Sequence, residues 1–179
     1  MSYYTFIALN MLNLNKLNGI NIGEYVYNDK GAYVADGIYI GSLATAQSND
    51  CIKAMNIKAI VNLSGYKYIT SVPVLNIEMD DALVTPQLME TYIKKFAIGV
   101  SAITAARAEG YNVLIHCAAG INRSATLIAF YLISIGYNYE QAYAALHTAN
   151  TQRNVPLLTN KSFRYLLQAM DSFNRNFKK

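Results

Sequence analysis

Between Val113 and Gly136 two apolar stretches of different character are joined by a short, mostly polar or small-residue loop, and no other feature of the chain limits its fold so tightly. Val113-Leu114-Ile115 is apolar at every position, which a strand tolerates when both of its faces are covered. Ser124 to Ile135 is apolar almost all round and stops at Gly136, the pattern of a helix buried on every side. A covered strand feeding a covered helix belongs to a layered α/β domain.

The remaining segments agree with that layering. Ile38-Tyr39-Ile40 within Gly37 to Gly41, Ala59-Ile60-Val61 within Lys58 to Leu63, and the alternating Leu75, Ile77 and Met79 read as strands. Thr85-Pro86 starts a helix, with threonine as N-cap and proline at the first helical position. Leu88, Ile93, Phe96, Val100 and Ile103 continue it towards a stop at Gly110. Further helices are expected over Tyr139 to His147 and over Lys161 to Phe173, the latter capped by Asn160 and carrying Phe163, Leu166, Leu167 and Met170 on one face. The expected fold is a central, mostly parallel sheet flanked by helices, and 179 residues fit one such domain.

Ahead of it, Tyr4, Ile7, Ala8, Met11 and Leu14 recur at helical spacing. Asn10, Asn13, Asn15 and Lys16 interrupt the apolar run, which argues against a membrane span or a signal peptide. Residues 1–30 are therefore expected to form an N-terminal helical extension, and 31–179 the folded domain. Two cysteines, Cys51 and Cys117, are too few for a disulfide framework and suit a reducing, cytoplasmic compartment. Neither lies at zinc-ligand spacing.

The chemistry is expected in the loop His116-Cys117-Ala118-Ala119-Gly120-Ile121-Asn122-Arg123-Ser124. A loop between a strand end and a helix N-terminus gathers backbone N–H groups into one concavity, and the helix dipole adds positive potential there. Residues 118–123 would wrap a phosphate once, placing the Cys117 sulfur beneath phosphorus and the Arg123 fork on two oxygens. The same dipoles lower the proton affinity of Cys117 and make it a nucleophile. Gly120 suits a tight turn, and Asn122 tolerates left-handed dihedrals. Ser124 places a hydroxyl beside the sulfur, and His116 orients the loop by hydrogen bonding. A chance match to His-Cys-x-x-Gly-x-x-Arg-Ser/Thr in a chain of this length is on the order of one in ten thousand or rarer.

With these residues the chain resembles the dual-specificity protein phosphatases of the cysteine-dependent phosphatase superfamily. His116 to Ser124 matches their signature loop, and Ala118-Ala119-Gly120 with Asn122 resembles the poxvirus-type members. Ile38 to Ala46 is similar to the family's first-strand pattern, Ile60 to Ser64 to its next strand, and Thr159-Asn160-Lys161-Ser162-Phe163 to its Pro-Asn-x-x-Phe helix start, with threonine in place of proline. The resemblance covers about residues 33–173 and implies a catalytic domain that dephosphorylates phosphotyrosine and phosphoserine or phosphothreonine in proteins, without a metal or cofactor. It also implies a general acid on a loop ahead of the signature strand. The family's spacing selects Asp81 over its neighbour Asp80, and strand alternation agrees, since Asp81 continues the core-facing side of Ile77 and Met79. Thirty-six positions separate Asp81 from Cys117, several more than the family pattern, and an extended loop around Ala82 to Thr85 is expected to absorb them.

The formal charge of +4 favours anionic partners. An RNA 5′-phosphatase using the same nucleophile is the alternative activity, motivated by that charge and by Asn122. Poxvirus-type relatives imply a homodimer through the N-terminal helix and, for a viral chain, association with the virion. His147 and Cys51 read as structural, and Arg153 as structural ahead of a contact to substrate phosphate.

Overall fold

The computed structural model of the chain describes residues 29–177. Five strands form one sheet: β1 (Ala32–Ala35), β2 (Ile38–Gly41), β3 (Ile57–Asn62), β4 (Val74–Asn76) and β5 (Asn112–His116). Their order is β1-β2-β5-β3-β4, antiparallel between β1 and β2 and parallel elsewhere. β5 is thus the central strand, as its unbroken apolar run requires. Period-2 alternation then splits its side chains: Val113 and Ile115 enter the larger core, while Leu114 joins Ile60 and Ile57 on the other face.

Helices cover both faces. The short α1 (Leu43–Gln47) and α2 (Asn49–Ala54) contribute Ala46 and Ile52 to the smaller core. The larger core is made by α3 (Pro86–Ala108), α4 (Arg123–Ser134), α5 (Tyr139–Gln152) and α6 (Lys161–Phe177). From Ser124 to Ile133 every residue of α4 is buried, which explains its apolar circumference. Phe130 on α4 stacks on Phe96 of α3 with ring centroids 4.9 Å apart, and Phe163 of α6 meets Phe96 edge-on at 6.0 Å. Fully burying side chains of this size stabilises the fold by about 1.5–3 kcal/mol each.

Several local expectations change. The strand read through Leu75, Ile77 and Met79 ends at Asn76: Ile77 and Met79 are buried but lie in an irregular segment, so burial alone produced their alternation. Thr85 is the N-cap residue of α3, yet its hydroxyl makes no capping bond. The helix expected to end near His147 runs to Gln152, secured at its start by a reciprocal pair of bonds between Asn138 and Gln141. β1 was not anticipated. Its signal was the Asp36-Gly37 pair between apolar residues, and both have positive φ (46° and 66°), as a two-residue hairpin demands. Residues 1–28 of the expected N-terminal helical extension, and its dimerisation, fall outside the described residues; Asp29 and Lys30 at its expected end are not helical. Among the described residues no helix is long and apolar enough to cross a membrane.

Candidate active site

β5 delivers the site. His116 ends the strand in register with Gly41 of β2 and Asn62 of β3, and its carbonyl accepts from Leu63 N at 2.9 Å. The loop that follows is held from outside by its carbonyls. Ala118 O accepts from Leu43 N at 3.1 Å and Ile121 O from Leu158 N at 3.0 Å. Arg153 donates to Ala119 O at 3.1 Å and Gly120 O at 2.9 Å, while Asn122 O begins the ladder of α4 through Thr126 N at 2.8 Å. In a planar trans peptide the next residue's N–H points opposite to the C=O, so carbonyls turned outward leave N–H groups turned inward. Gly120 N confirms the sense by donating to Cys117 Sγ at 3.3 Å.

Cys117, only 2% exposed, lies at the floor of a cavity of about 350 Å³ lined also by Asp81, Leu83, Ala118, Ala119, Ile121, Asn122, Arg123, Pro156, Thr159 and Asn160. Burial pushes its thiol up, but the Arg123 charge and hydrogen bonds with Ser124 Oγ, 3.4 Å away, and with the Ser124 and Gly120 amides outweigh it. The net proton affinity falls below the ordinary thiol value, which favours thiolate. Arg123 donates through Nη1 to Leu63 O at 3.0 Å and Met79 O at 2.9 Å. Its Nε is buried and has no partner among the described residues. The guanidinium is thus fixed on one edge and keeps an unused donor, as a clamp for a tetrahedral oxyanion requires.

His116 is fully buried between Cys117 O, 3.2 Å from Nδ1, and Tyr68 Oη, 2.6 Å from Nε2. A carbonyl can only accept, so Nδ1 carries the proton and Nε2 accepts from the tyrosine. Burial, aided by the nearby Arg123 charge and opposed by the Cys117 carbonyl bond, pushes the imidazole down to about 4. His116 is therefore neutral near pH 7 and holds the Cys117 carbonyl through Nδ1. Tyr68, 48 positions away, left no sequence signal for its part in this contact.

Asp81 reaches the cavity and Asp80 does not line it; the Tyr92 hydroxyl instead bonds the Asp80 carbonyl at 3.1 Å. Asn122 Nδ2 donates to Asp81 Oδ2 at 3.0 Å and Asn160 Nδ2 to Asp81 Oδ1 at 3.1 Å, with a further bond from Asn160 Nδ2 to Ala82 O at 2.8 Å. The surplus residues ahead of α3 therefore do not displace the carboxylate from the loop. Asn160 has two functions at once, because its Oδ1 also caps α6 through Ser162 N at 3.0 Å. Thr159, the departure from proline, places Oγ1 within 3.1 Å of Asn122 Nδ2 and 3.2 Å of Asn122 Oδ1.

One expectation is corrected here, that for Asn122, and for Arg153 the favoured structural reading is borne out. Asn122 has φ −112° and ψ −72°, right-handed backbone, so its contribution lies in its amide and not in tolerance of left-handed dihedrals. Arg153 spends its donors on protein oxygens behind the loop and does not line the cavity, which removes it as a substrate contact.

Gly120 does adopt the strained geometry, with φ +69°. A Cβ there would come within 2.3 Å of Arg153 Nη2 and 2.5 Å of Gly41 O. Gly120→Ala is expected to cost about 1–3 kcal/mol through crowding and about 1–2 kcal/mol through the left-handed backbone. Urea denaturation should record the loss, and an unchanged midpoint would contradict this loop conformation.

A family model described as the dual specificity phosphatase catalytic domain matches residues 38–172, a span that contains β2 to β5, the loop and the Asp81 segment. The chain belongs to the dual specificity phosphatase family. Dual specificity protein phosphatase 15 of Mus musculus is 30% identical over 139 residues, covering 75% of this chain and 55% of the relative. Dual specificity protein phosphatase 22-B of Danio rerio is 27% identical over 119 residues, or 65% and 62% respectively. The chain thus spans little more than half the length of these curated relatives.

Among solved structures, DUSP15 superposes with a TM-score of 0.67 at 23% identity, over 83% of this chain and 94% of that one. OH1 from Orf virus, described as a tyrosine phosphatase with triple substrate specificity, superposes with a TM-score of 0.59 at 20% identity, over 95% and 98%. At these identities the likeness is one of fold. It bears out the cysteine-dependent phosphatase architecture expected from the sequence, while the poxvirus-type resemblance gains only this shared fold.

Proposed function

We propose that this dual specificity phosphatase domain hydrolyses phosphate monoesters on tyrosine, serine and threonine side chains of proteins through a cysteinyl-phosphate intermediate. The observation that carries the reading is the placement of Cys117, Arg123 and Asp81 on one small cavity, with the thiol held towards its anionic form. Substrate phosphate binds to the inward N–H groups of residues 118–123 and to the free edge of Arg123. The Cys117 thiolate attacks phosphorus in line, the bond from phosphorus to the side-chain oxygen breaks, and Asp81 gives its proton to that oxygen.

Water then attacks the thiophosphate, Asp81 takes the water's proton, and inorganic phosphate departs with the S–P bond broken. The Ser124 hydroxyl hydrogen-bonds the sulfur as it regains its charge. Asn122 and Asn160 each donate one hydrogen to Asp81, which leaves a lone pair on each oxygen for the shuttled proton. His116 and Asn160 support the machinery without touching the reacting atoms.

Protein monoesters fit this cavity better than RNA 5′-ends. Arg123 is the only basic side chain among the described residues lining it, sufficient for one phosphate but sparse for a 5′-triphosphate. Leu83, 71% exposed at the rim, offers apolar contact to a substrate side chain. A nucleophilic thiolate also requires a reducing compartment. The test compares hydrolysis of phosphotyrosine peptide, phosphothreonine peptide and 5′-triphosphorylated RNA. Both peptides should turn over with higher kcat/KM than the RNA, and preferential release from RNA would overturn the substrate assignment.

A further inference from the structure

We propose that Arg153, anchored by Asp29, is a positioning residue for the catalytic loop: it keeps the Ala119 and Gly120 carbonyls turned away from the cavity and so keeps the Gly120 and Ile121 N–H groups turned towards the phosphate. The inference rests on the reading of Cys117 as the nucleophile. Its basis is a complete use of donors. Arg153 has five N–H groups, and five acceptors meet them: Asp29 Oδ1 at 2.9 Å from Nε, Gly120 O and Asn150 Oδ1 both at 2.9 Å from Nη1, and Asp29 Oδ2 at 2.7 Å and Ala119 O at 3.1 Å from Nη2.

The side chains of the pair are 1% and 0% exposed. A cation so buried persists only with its counter-charge and hydrogen bonds in place, so Asp29 is what allows Arg153 to be there. Asp29 is itself fixed by Gly31 N at 3.0 Å, Ser42 N at 2.7 Å and Thr45 Oγ1 at 2.9 Å, which ties it to the turn between β2 and α1. That turn also supplies Leu43 N to Ala118 O. Three successive loop carbonyls are therefore held by one rigid assembly. A lysine has the charge but not the fork, and cannot reach two carbonyls and both carboxylate oxygens together.

A pair that only stabilises the domain would alter its melting temperature and leave the loop's hold on anions intact once folded. The experiment separates these roles in a Cys51→Ser background, where Cys117 is the sole thiol. Arg153→Met, Arg153→Lys and Asp29→Asn are compared by the pH dependence of Cys117 alkylation by iodoacetamide and by protection with inorganic phosphate, with circular dichroism to establish folding. Arg153→Met is expected to raise the thiol's alkylation midpoint by about one pH unit, a tenfold loss of thiolate at acidic pH. Phosphate protection should weaken by a similar factor, and the other two variants should shift in the same direction by less.

Where Arg153→Met does not fold, Arg153→Lys and Asp29→Asn are read in the same way. Midpoints and phosphate protection within twofold of the parent in the folded variants overturn the proposal, even if melting temperatures fall. Alkylation needs no turnover. A chain that hydrolyses none of the phosphorylated substrates would therefore defeat the proposed function while leaving this result readable.

Discussion

Cys117→Ser is expected to reduce hydrolysis of every phosphorylated substrate by at least about 10⁴-fold, because in the proposed mechanism the nucleophile acts as part of a unit whose other members cannot replace it. The effect follows from proton affinity more than from size. In the native loop burial raises the thiol, and Arg123 with the Ser124 and Gly120 hydrogen bonds lowers it further than burial raised it. Those same interactions cannot ionise a serine hydroxyl, whose proton is held far more tightly than a thiol's. The loop would still offer its N–H groups and Arg123 Nε to phosphate, so the variant should retain substrate binding while losing turnover.

Sign matters for the pH profile of the parent enzyme. In the proposed mechanism the thiolate is the reactive form, so kcat/KM should fall as pH drops through the lowered thiol value, and neutral His116 contributes no limb near pH 7. Rapid-quench trapping of a phosphorylated protein should succeed with the parent and fail with Cys117→Ser. Substantial turnover by the serine variant would remove Cys117 as the nucleophile.

What the sequence made legible was local. Val113 to Ser124 declares a covered strand, a turn and a buried helix in consecutive residues, and each choice is enforced by the periodicity of its own neighbours. The loop's chemistry followed because Cys117, Gly120, Arg123 and Ser124 fall within eight positions. The supports of that loop come instead from far along the chain: Arg153 from Asp29, 124 positions apart, and Asn160 from Asp81, 79 apart. A hydrogen bond between distant side chains imposes no period on the sequence, so Asn160 was visible as a helix cap and Arg153 only as a structural residue ahead of a contact to substrate phosphate. Asn122 shows the complementary error. Its residue type suggested unusual backbone, whereas the structure uses its amide.

Asp81→Asn is expected to slow hydrolysis of phosphotyrosine and phosphothreonine peptides by about 10²–10⁴-fold, the usual contribution of a positioned general acid, while Asp80→Asn stays within about threefold. Geometry separates the neighbours: the Asp81 carboxylate faces the cavity between two amides, and Asp80 is not among the residues lining it. An asparagine at 81 preserves shape but has no proton to give, so the loss should depend on the leaving group. Phosphothreonine, which departs as an alkoxide, needs the proton most. A nitrophenyl phosphate, whose product is stable as an anion, needs it least, and its formation of the phosphocysteine should be nearly spared. If instead Asp80→Asn were the slower variant, or if both lost the same factor on every leaving group, the two carboxylates would be acting on loop conformation and not on the departing oxygen.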